Sequence, residues 1–461
     1  MTVEPIRHLN SRKRHLADLW SAALKLDQLP QMDRWISEEF RKNPSFGSRD
    51  RKWYSEMLFA GIRFGFLAII CQKAYEAQLK FSIDSAKSVE SWNQFLIKLK
   101  PEIDSPAKIL SVWKTISFSQ FFLWTEMRYL SLSATAESPF FASEDSEKCA
   151  SFYAEFMQFL QNSTRTDDKL CLASVPLWFG QWLEERCEVS AWTQAEQAHF
   201  LASLATRPPL WLRMNFADRL PDVRKELEKE DFRIESHGSA LQANGLKGIF
   251  ATESYRTGAF EIQDLASQEI GAHVDVRPGQ LVWDCCAGGG GKTLQIASLL
   301  KNKGAVFASD IREYKLDEIK KRAKRAGFFN IRCMAWDGIK KPEFPKEVQL
   351  RHGFDWVLVD APCTSTGTWR RNPDAKYRVN AQNVENLVQL QLQLLQKAAE
   401  ALKPGGHLVY STCSWIVAEN EDICREFLKS NSGFQLVSMK MLGSPASNAD
   451  TMFAAVFKAS I

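Results

Sequence analysis

Along residues 1–135 the apolar positions recur at helical spacing. RHLADLWSAALKL, DRWISEEFRK, RDRKWYSEMLFAGIRFGFLAII and VESWNQFLIKL all carry it, with little proline or glycine inside them. The pattern predicts an all-helical domain. Trp20, Trp35, Trp53, Trp92, Trp113 and Trp124 fall in this stretch and are expected to fill its core. The polar run SATAESPFFASEDSEK, 133–148, predicts a long loop. Helical spacing then resumes through SFYAEFMQFLQ, PLWFGQWLEE and QAEQAHFLASLA, giving a helical linker region over 136–205. At Pro208-Pro209 the character changes to PPLWLRMN, a short strand pattern that opens a small α/β subdomain over 206–270.

From residue 271 strands and helices alternate to the end. QLVWDC, AVFASD, IRCMAWD, FDWVLVDAPC, HLVYSTC, FQLVSM and MFAAVFKA predict seven strands. Between them LQIASLLKN, YKLDEIKKRAKRAG, VENLVQLQLQLLQKAAEAL and EDICREFLKS predict helices. Near-continuous apolar strands alternating with helices imply a doubly wound, mostly parallel seven-stranded sheet covered on both faces. Ligands in such sheets sit at the carboxyl ends of the strands. Asp284, Asp310, Asp337, Asp360 and Cys413 all fall at or near such an end.

Composition adds bounds rather than direction. The 461 residues make room for about three domains. A hydrophobic share of 45% and a charged share of 25% exclude a chain dominated by disorder or by a fibrous repeat. A net charge of +4 is mildly basic, so local clusters matter more than the total. The ten cysteines include no C-x-x-C, which argues against a disulfide framework or a zinc site, and no metal is expected. The basic N-terminus lacks a following apolar core, and FGFLAIIC is far shorter than the roughly 20 residues a membrane span needs. A cytoplasmic protein with reduced thiols and no membrane partner is the expectation.

The first strand leads into DCCAGGGGKT, Asp284 to Thr293. Its glycines let a ligand approach the backbone at a helix N-terminus. The P-loop frame would need glycine where Cys286 stands, and the dinucleotide G-x-G-x-x-G spacing is also missing. Asp310 is placed to accept from ribose hydroxyls and Asp337 to face an adenine edge, so an adenosine-containing ligand is expected. Cys363 follows Asp360-Ala361-Pro362, and Cys413 sits between Thr412 and Ser414. If these two strands are neighbours, both thiols enter one cleft. A lone cysteine is usually an inert small hydrophobe. Two thiols beside an acid and an adenosine pocket fit addition of a thiolate to C6 of cytosine, which makes C5 nucleophilic toward a sulfonium methyl donor. Lys292, Arg370 and Arg371 are candidates for the positive field that ionises the thiol.

DCCAGGGGKT, DAPCTSTGTWRRNPD and YSTCS resemble the signature motifs of the RsmB/Sun-type family of RNA (cytosine-5) methyltransferases, and within it the bacterial 16S ribosomal-RNA members. PPLWLRMN and GAFEIQDLASQ look like the segments preceding that family's catalytic core, and FGSRDRKWYSEMLFAGIR resembles part of its NusB-like N-terminal helical domain. The resemblance implies a Rossmann-like class I methyltransferase over 271–461, an RNA-binding subdomain over 206–270 and a NusB-like RNA-binding domain over 1–135. It makes Cys413 the nucleophile and gives Cys363 a part in product release. Asp360 then contacts the flipped cytosine and Lys292 organises the site. S-adenosyl-L-methionine would lie along Cys286, Ala287, Gly288, Gly289, Gly290, Gly291 and Lys292, with Asp310, Asp337 and Asp360 as further contacts. The implied partner is RNA, with 16S ribosomal RNA foremost, and the implied state is a monomer. A transfer-RNA methyltransferase with the same core, or an inactive RNA-binding ribosome-assembly factor, are the alternatives. Gly288-Gly289 stand where many members have Ala-Pro, and DTMF, Asp450 to Phe453, stands in place of the final D-G-F-F. Basic residues on the second helix and its lead-in (Arg312, Lys315, Lys320, Lys321, Arg322, Lys324, Arg325) and in the small subdomain (Arg213, Lys225, Arg233, Lys247, Arg256) are candidate phosphate contacts.

Overall fold

The computed structural model describes residues 6–82, 85–132, 146–244, 248–340 and 342–460, with side chains from residue 11 onward. Most of the loop expected at 133–148 lies outside the described residues, as does Lys247. The chain divides into two compact units, Met1–Arg207 with Thr368–Asn380 and Pro208–Gly367 with Ala381–Ile461.

The first unit is helical. Helices Ile6–Leu24, Met32–Lys42, Ser48–Glu76 and Ala86–Leu99 lie where the apolar spacing predicts them, Pro106–Thr115 and Phe118–Ser131 follow, and Ser146–Asn162, Gly180–Val189 and Gln194–Leu204 continue the series. Ser85, Ser105 and Ser117 cap three of them by accepting from a backbone N–H in the first turn. Trp20, Trp92, Trp113 and Trp124 are buried, while Trp35 and Trp53 pack partly buried against the same core. The helix Ser48–Glu76 is, by length and composition, apolar enough to cross a membrane, so the apolar segment is longer than FGFLAIIC alone; 83% of its apolar window is buried inside the protein.

That helix also takes partners from outside itself. The Tyr377 hydroxyl accepts from Phe66 N–H at 3.2 Å and donates to the Ile62 carbonyl at 3.0 Å, the two groups a continuous helix would join directly. Ser174 Oγ accepts from Leu67 N–H at 3.0 Å, and the Lys376 ammonium donates to the Arg63 carbonyl at 2.7 Å and the Ser174 carbonyl at 2.6 Å. Gly65 is required here: a Cβ on it would lie 2.4 Å from the Trp113 ring. The segment Thr368–Asn380 is thus part of the helical core although it is remote in sequence. We expect Tyr377→Phe, which strips a partner from two buried backbone groups, to cost the full chain about 1–3 kcal/mol. An unchanged urea midpoint would mean that the helix closes its own hydrogen bond instead.

The second unit holds two sheets. The smaller has β1 (Leu210–Met214), β2 (Arg233–His237), β3 (Ala240–Asn244) and β4 (Phe260–Ile262) in the antiparallel order β2-β3-β1-β4. The larger has β5 (Leu281–Asp284), β6 (Ala305–Asp310), β7 (Ile331–Ala335), β8 (Phe354–Asp360), β9 (Leu402–Thr412), β10 (Phe434–Gly443) and β11 (Thr451–Ala459). Its order is β10-β11-β9-β8-β5-β6-β7. The pairs from β9 through β7 are parallel, and β11 pairs antiparallel with both β9 and β10. This is a Rossmann-like fold with apolar clusters on both sheet faces. Chain order reverses at β5, so a crevice opens between the β5 and β8 ends, where such sheets bind ligands. β9 starts earlier than expected. Leu402 pairs with Phe354 and His407 with Trp356, so Lys403-Pro404-Gly405-Gly406 is absorbed as a bulge.

Candidate active site

Parallel pairing of β8 with β9 puts Asp360 beside Ser411, and both chains leave the sheet at the same level. Cys363 and Cys413 therefore meet, with their sulfurs 3.3 Å apart and both residues partly buried. The Ser365 hydroxyl lies 3.6 Å from Cys413 Sγ. Asp360 accepts from the Lys292 ammonium at 2.7 Å on one oxygen and from the Ser411 hydroxyl at 2.9 Å on the other. Lys292 comes from the first turn of the helix Gly291–Leu299, which the glycine turn feeds. Burial alone would pull the Lys292 ammonium down, but the Asp360 carboxylate outweighs it and the pKa is raised.

The two thiols are unequal. The contact with Cys363 holds Cys413 below the ordinary thiol range, against burial and the Asp360 charge, and Ser365 and Lys292 act in the same direction as Cys363. The contact with Cys413, together with burial and the charges of Cys413 and Glu419, pushes Cys363 well up. Of the two thiols, Cys413 is therefore the one that gives up its proton more readily.

A cavity of about 500 Å³ lies beside this pair and is lined by Cys285, Cys286, Gly288, Asp310, Ile311, Arg312, Trp336, Asp337, Asp360 and Pro362 among others. Gly288 and Gly290 take φ of 52° and 81°, and a Cβ at Gly290 would strike Ile319 at 2.7 Å, so the turn depends on glycine there. Ala287 N–H donates to Ser309 O at 2.8 Å and Gly290 N–H to Ala287 O at 2.9 Å. Gly289 is held through its carbonyl by Arg322, whose guanidinium also reaches Glu261 on β4. Asp310 accepts from Gly288 N–H at 3.0 Å and from Arg312 Nε and backbone N–H, each at 2.9 Å. Burial opposes its charge, but Arg312 and Gly288 prevail and its pKa is lowered. Asp337 lies just beyond β7, exposed, where the backbone N–H groups of Lys340 and Ile339 hold its carboxyl below the usual range.

Several expected sites are used differently. Arg370 bonds to the Thr206 and Arg207 carbonyls within the helical unit. Arg213 is buried against Gln263 at 2.6 Å, and Arg322 and Arg325 clamp the buried Glu261, so these three are tied up internally. Lys315 and Lys320 pair with Glu318 and Asp317, while Lys321, Lys324, Lys225, Arg233 and Arg256 are exposed. Asp284 is buried behind Thr293, whose hydroxyl donates to it at 2.6 Å. Sequence reasoning missed Glu419, fully buried between the two thiol-bearing loops. A glutamate directly after the apolar run Trp415 to Ala418 was its only signal.

Residues 272–457 match the family model described as 16S rRNA methyltransferase RsmB/F. That part of the chain is similar to the RsmB/F-type methyltransferases. The probable ribosomal RNA small subunit methyltransferase B of Bacillus subtilis (strain 168) is 34% identical over 263 residues, 55% of this chain and 57% of that protein. The match thus spans less than two thirds of the relative. The crystal structure of PH0851 superposes on 87% of this chain and 98% of its own, with a TM-score of 0.59 at 22% identity. A methyltransferase homolog protein from Pyrococcus horikoshii covers 64% of this chain and 99% of its own, with a TM-score of 0.54 at 25% identity. Both share the fold.

Within the matched segment, burial raises Asp284 to about 7, partly offset by the Thr293 hydroxyl, and its Oδ1 has no hydrogen-bond partner among the described residues. A carboxyl raised in the folded state binds its proton more tightly there than in the unfolded chain. Its contribution is therefore greatest below about pH 4 and is lost as pH rises toward about 7, at most about 4 kcal/mol. Asp284→Asn should remove that slope, so that its unfolding midpoint falls less than the parent's between about pH 5 and about pH 8. Equal slopes would show that Asp284 does not titrate in this window.

Proposed function

We propose that the chain is an S-adenosyl-L-methionine-dependent RNA (cytosine-C5) methyltransferase acting in the cytoplasm on small-subunit ribosomal RNA. The observation that carries it is the pair of sulfurs 3.3 Å apart beside the Lys292–Asp360 ion pair, within the segment that matches the RsmB/F model. The names of the curated relatives support the ribosomal substrate.

The cavity residues fit the methyl donor. Trp336, Ile311 and Pro362 offer apolar surfaces for a purine, and Asp310 is an acceptor for ribose hydroxyls once the half-exposed Arg312 side chain gives up its bonds. The glycine turn, Cys286 through Gly291, lets the ligand reach the backbone, and Asp337 and Asp360 stand at the rim. When bound, S-adenosyl-L-methionine supplies the methyl group.

The chain's own residues do the rest. Cys413, as thiolate, adds to C6 of a cytosine turned out of its stack, and the ring electrons move toward C5. Asp360 contacts the base, held in orientation by Lys292 and Ser411, and the ion pair stands where the ring acquires charge. Once C5 is methylated its proton passes to a solvent water, the ring double bond re-forms, and the C6–S pair returns to the Cys413 sulfur. Cys363, carrying its proton next to that sulfur, assists release. The helical unit would serve as a NusB-like RNA-binding domain and residues 206–270 as an RNA-binding subdomain, through exposed cations such as Lys225, Arg233 and Arg256.

Cys413→Ala is expected to abolish methyl transfer to total RNA and any covalent RNA adduct. Cys363→Ala should instead accumulate a protein–RNA adduct that survives denaturing electrophoresis. The opposite pattern would exchange the two roles. Bisulfite sequencing of RNA from a deletion strain names the nucleotide, and loss of a signal from transfer RNA instead would overturn the ribosomal assignment.

A further inference from the structure

Glu419 lies six positions beyond Cys413 and is fully buried. Four donors converge on its carboxyl group. Oε1 accepts from Thr364 N–H and from Gln391 Nε2, each at 2.9 Å. Oε2 accepts from the hydroxyls of Thr364 and Ser414, each at 2.5 Å. Four donors on two oxygens fill the acceptor positions of a carboxylate. Thr364 follows Cys363 directly and Ser414 follows Cys413 directly, so one carboxylate ties together both loops that carry the thiols. Thr366 Oγ1 lies 2.9 Å from Ser414 Oγ and accepts from Trp415 N–H at 3.1 Å, which extends the same polar knot.

We propose that Glu419 is a positioning residue that fixes the Cys363–Cys413 pair and keeps the shared proton on Cys363, leaving Cys413 as the thiolate. The inference rests on Cys413 being the nucleophile. Two opposite charges flank the pair. Lys292 acts on Cys413 from the helix after the glycine turn, and Glu419 acts on Cys363 from the segment after β9. Asp360 on β8 faces Cys413 and opposes Lys292, Ser365 lies beside Cys413, and the Tyr410 ring on β9 faces Cys363 with its hydroxyl bonded to the Glu419 carbonyl at 2.6 Å. A negative charge beside Cys363 disfavours a thiolate there, and a positive charge beside Cys413 favours one. Without Glu419 the pair would lose both its fixed spacing and its asymmetry.

Glu419→Gln tests the charge with the shape kept, because the Thr364 and Ser414 hydroxyls can rotate to accept from the new amide. Glu419→Ala removes charge and tether together. The measurement is alkylation of the full chain by iodoacetamide across pH, with peptide mass spectrometry to separate Cys413 and Cys363 from the partly exposed Cys187, Cys286 and Cys333. In the parent chain Cys413 should react with a midpoint below the roughly 8.5 of a free thiol, ahead of Cys363. In Glu419→Gln the Cys363 midpoint should fall by about one pH unit, toward that of Cys413. In Glu419→Ala the preference for Cys413 should disappear. A Cys363 midpoint identical in the parent and Glu419→Gln overturns the proposal, since a purely structural glutamate would behave that way. So does a parent chain in which Cys363 reacts first, an outcome that needs no variant to fold. The assay uses neither RNA nor methyl donor, so it fails independently of the RNA-adduct test for the proposed reaction.

Discussion

The hydrogen-bonded register between β8 and β9 is the constraint on which the candidate site depends. Those strands run parallel, with Val359 against Tyr410 and Asp360 against Ser411. A parallel pair ends at one level only if its register is fixed, and here burial of both faces fixes it. A slip of one residue would turn Asp360 and Ser411 to opposite faces and separate the sulfurs. The ion pair to Lys292, the Ser411 hydrogen bond and the Glu419 knot all presuppose this alignment.

Electrostatics then gives two like side chains different parts. Cys363 and Cys413 differ in no intrinsic property, yet the contact between them favours the charge on Cys413, which lies near both Asp360 and Lys292, while Glu419 disfavours it on Cys363. Neither charge is free. Lys292 is paired with Asp360, and Glu419 is saturated by neutral donors. Charges held in this way keep their orientation while a substrate approaches, which is what preorganisation requires.

The helical unit obeys another logic. Near Ile62 to Leu67 its longest helix is bonded by hydroxyl and ammonium groups from Tyr377, Ser174 and Lys376. Two of those three come from Thr368–Asn380, a few residues along the chain from Cys363. Folding of this unit therefore depends on a segment that sequence order assigns to the other.

The helices, the seven strands and the strand-end acids were legible because periodicity and burial are local, additive signals. The glycine turn and the two thiol motifs were legible because their residue types serve few other purposes. Which cations face solvent was not legible. Arg213, Arg322, Arg325 and Arg370 look in the sequence like the exposed Lys321 and Lys324, and only packing showed the former bonded internally. Glu419 and Tyr377 were invisible for the same reason, since what makes each matter is a partner tens to hundreds of positions away. The chain's pattern thus determined what elements form and what chemistry they carry. The fold alone decided which charges meet, because contact between distant residues is set by register and packing, and neither is written in any local stretch.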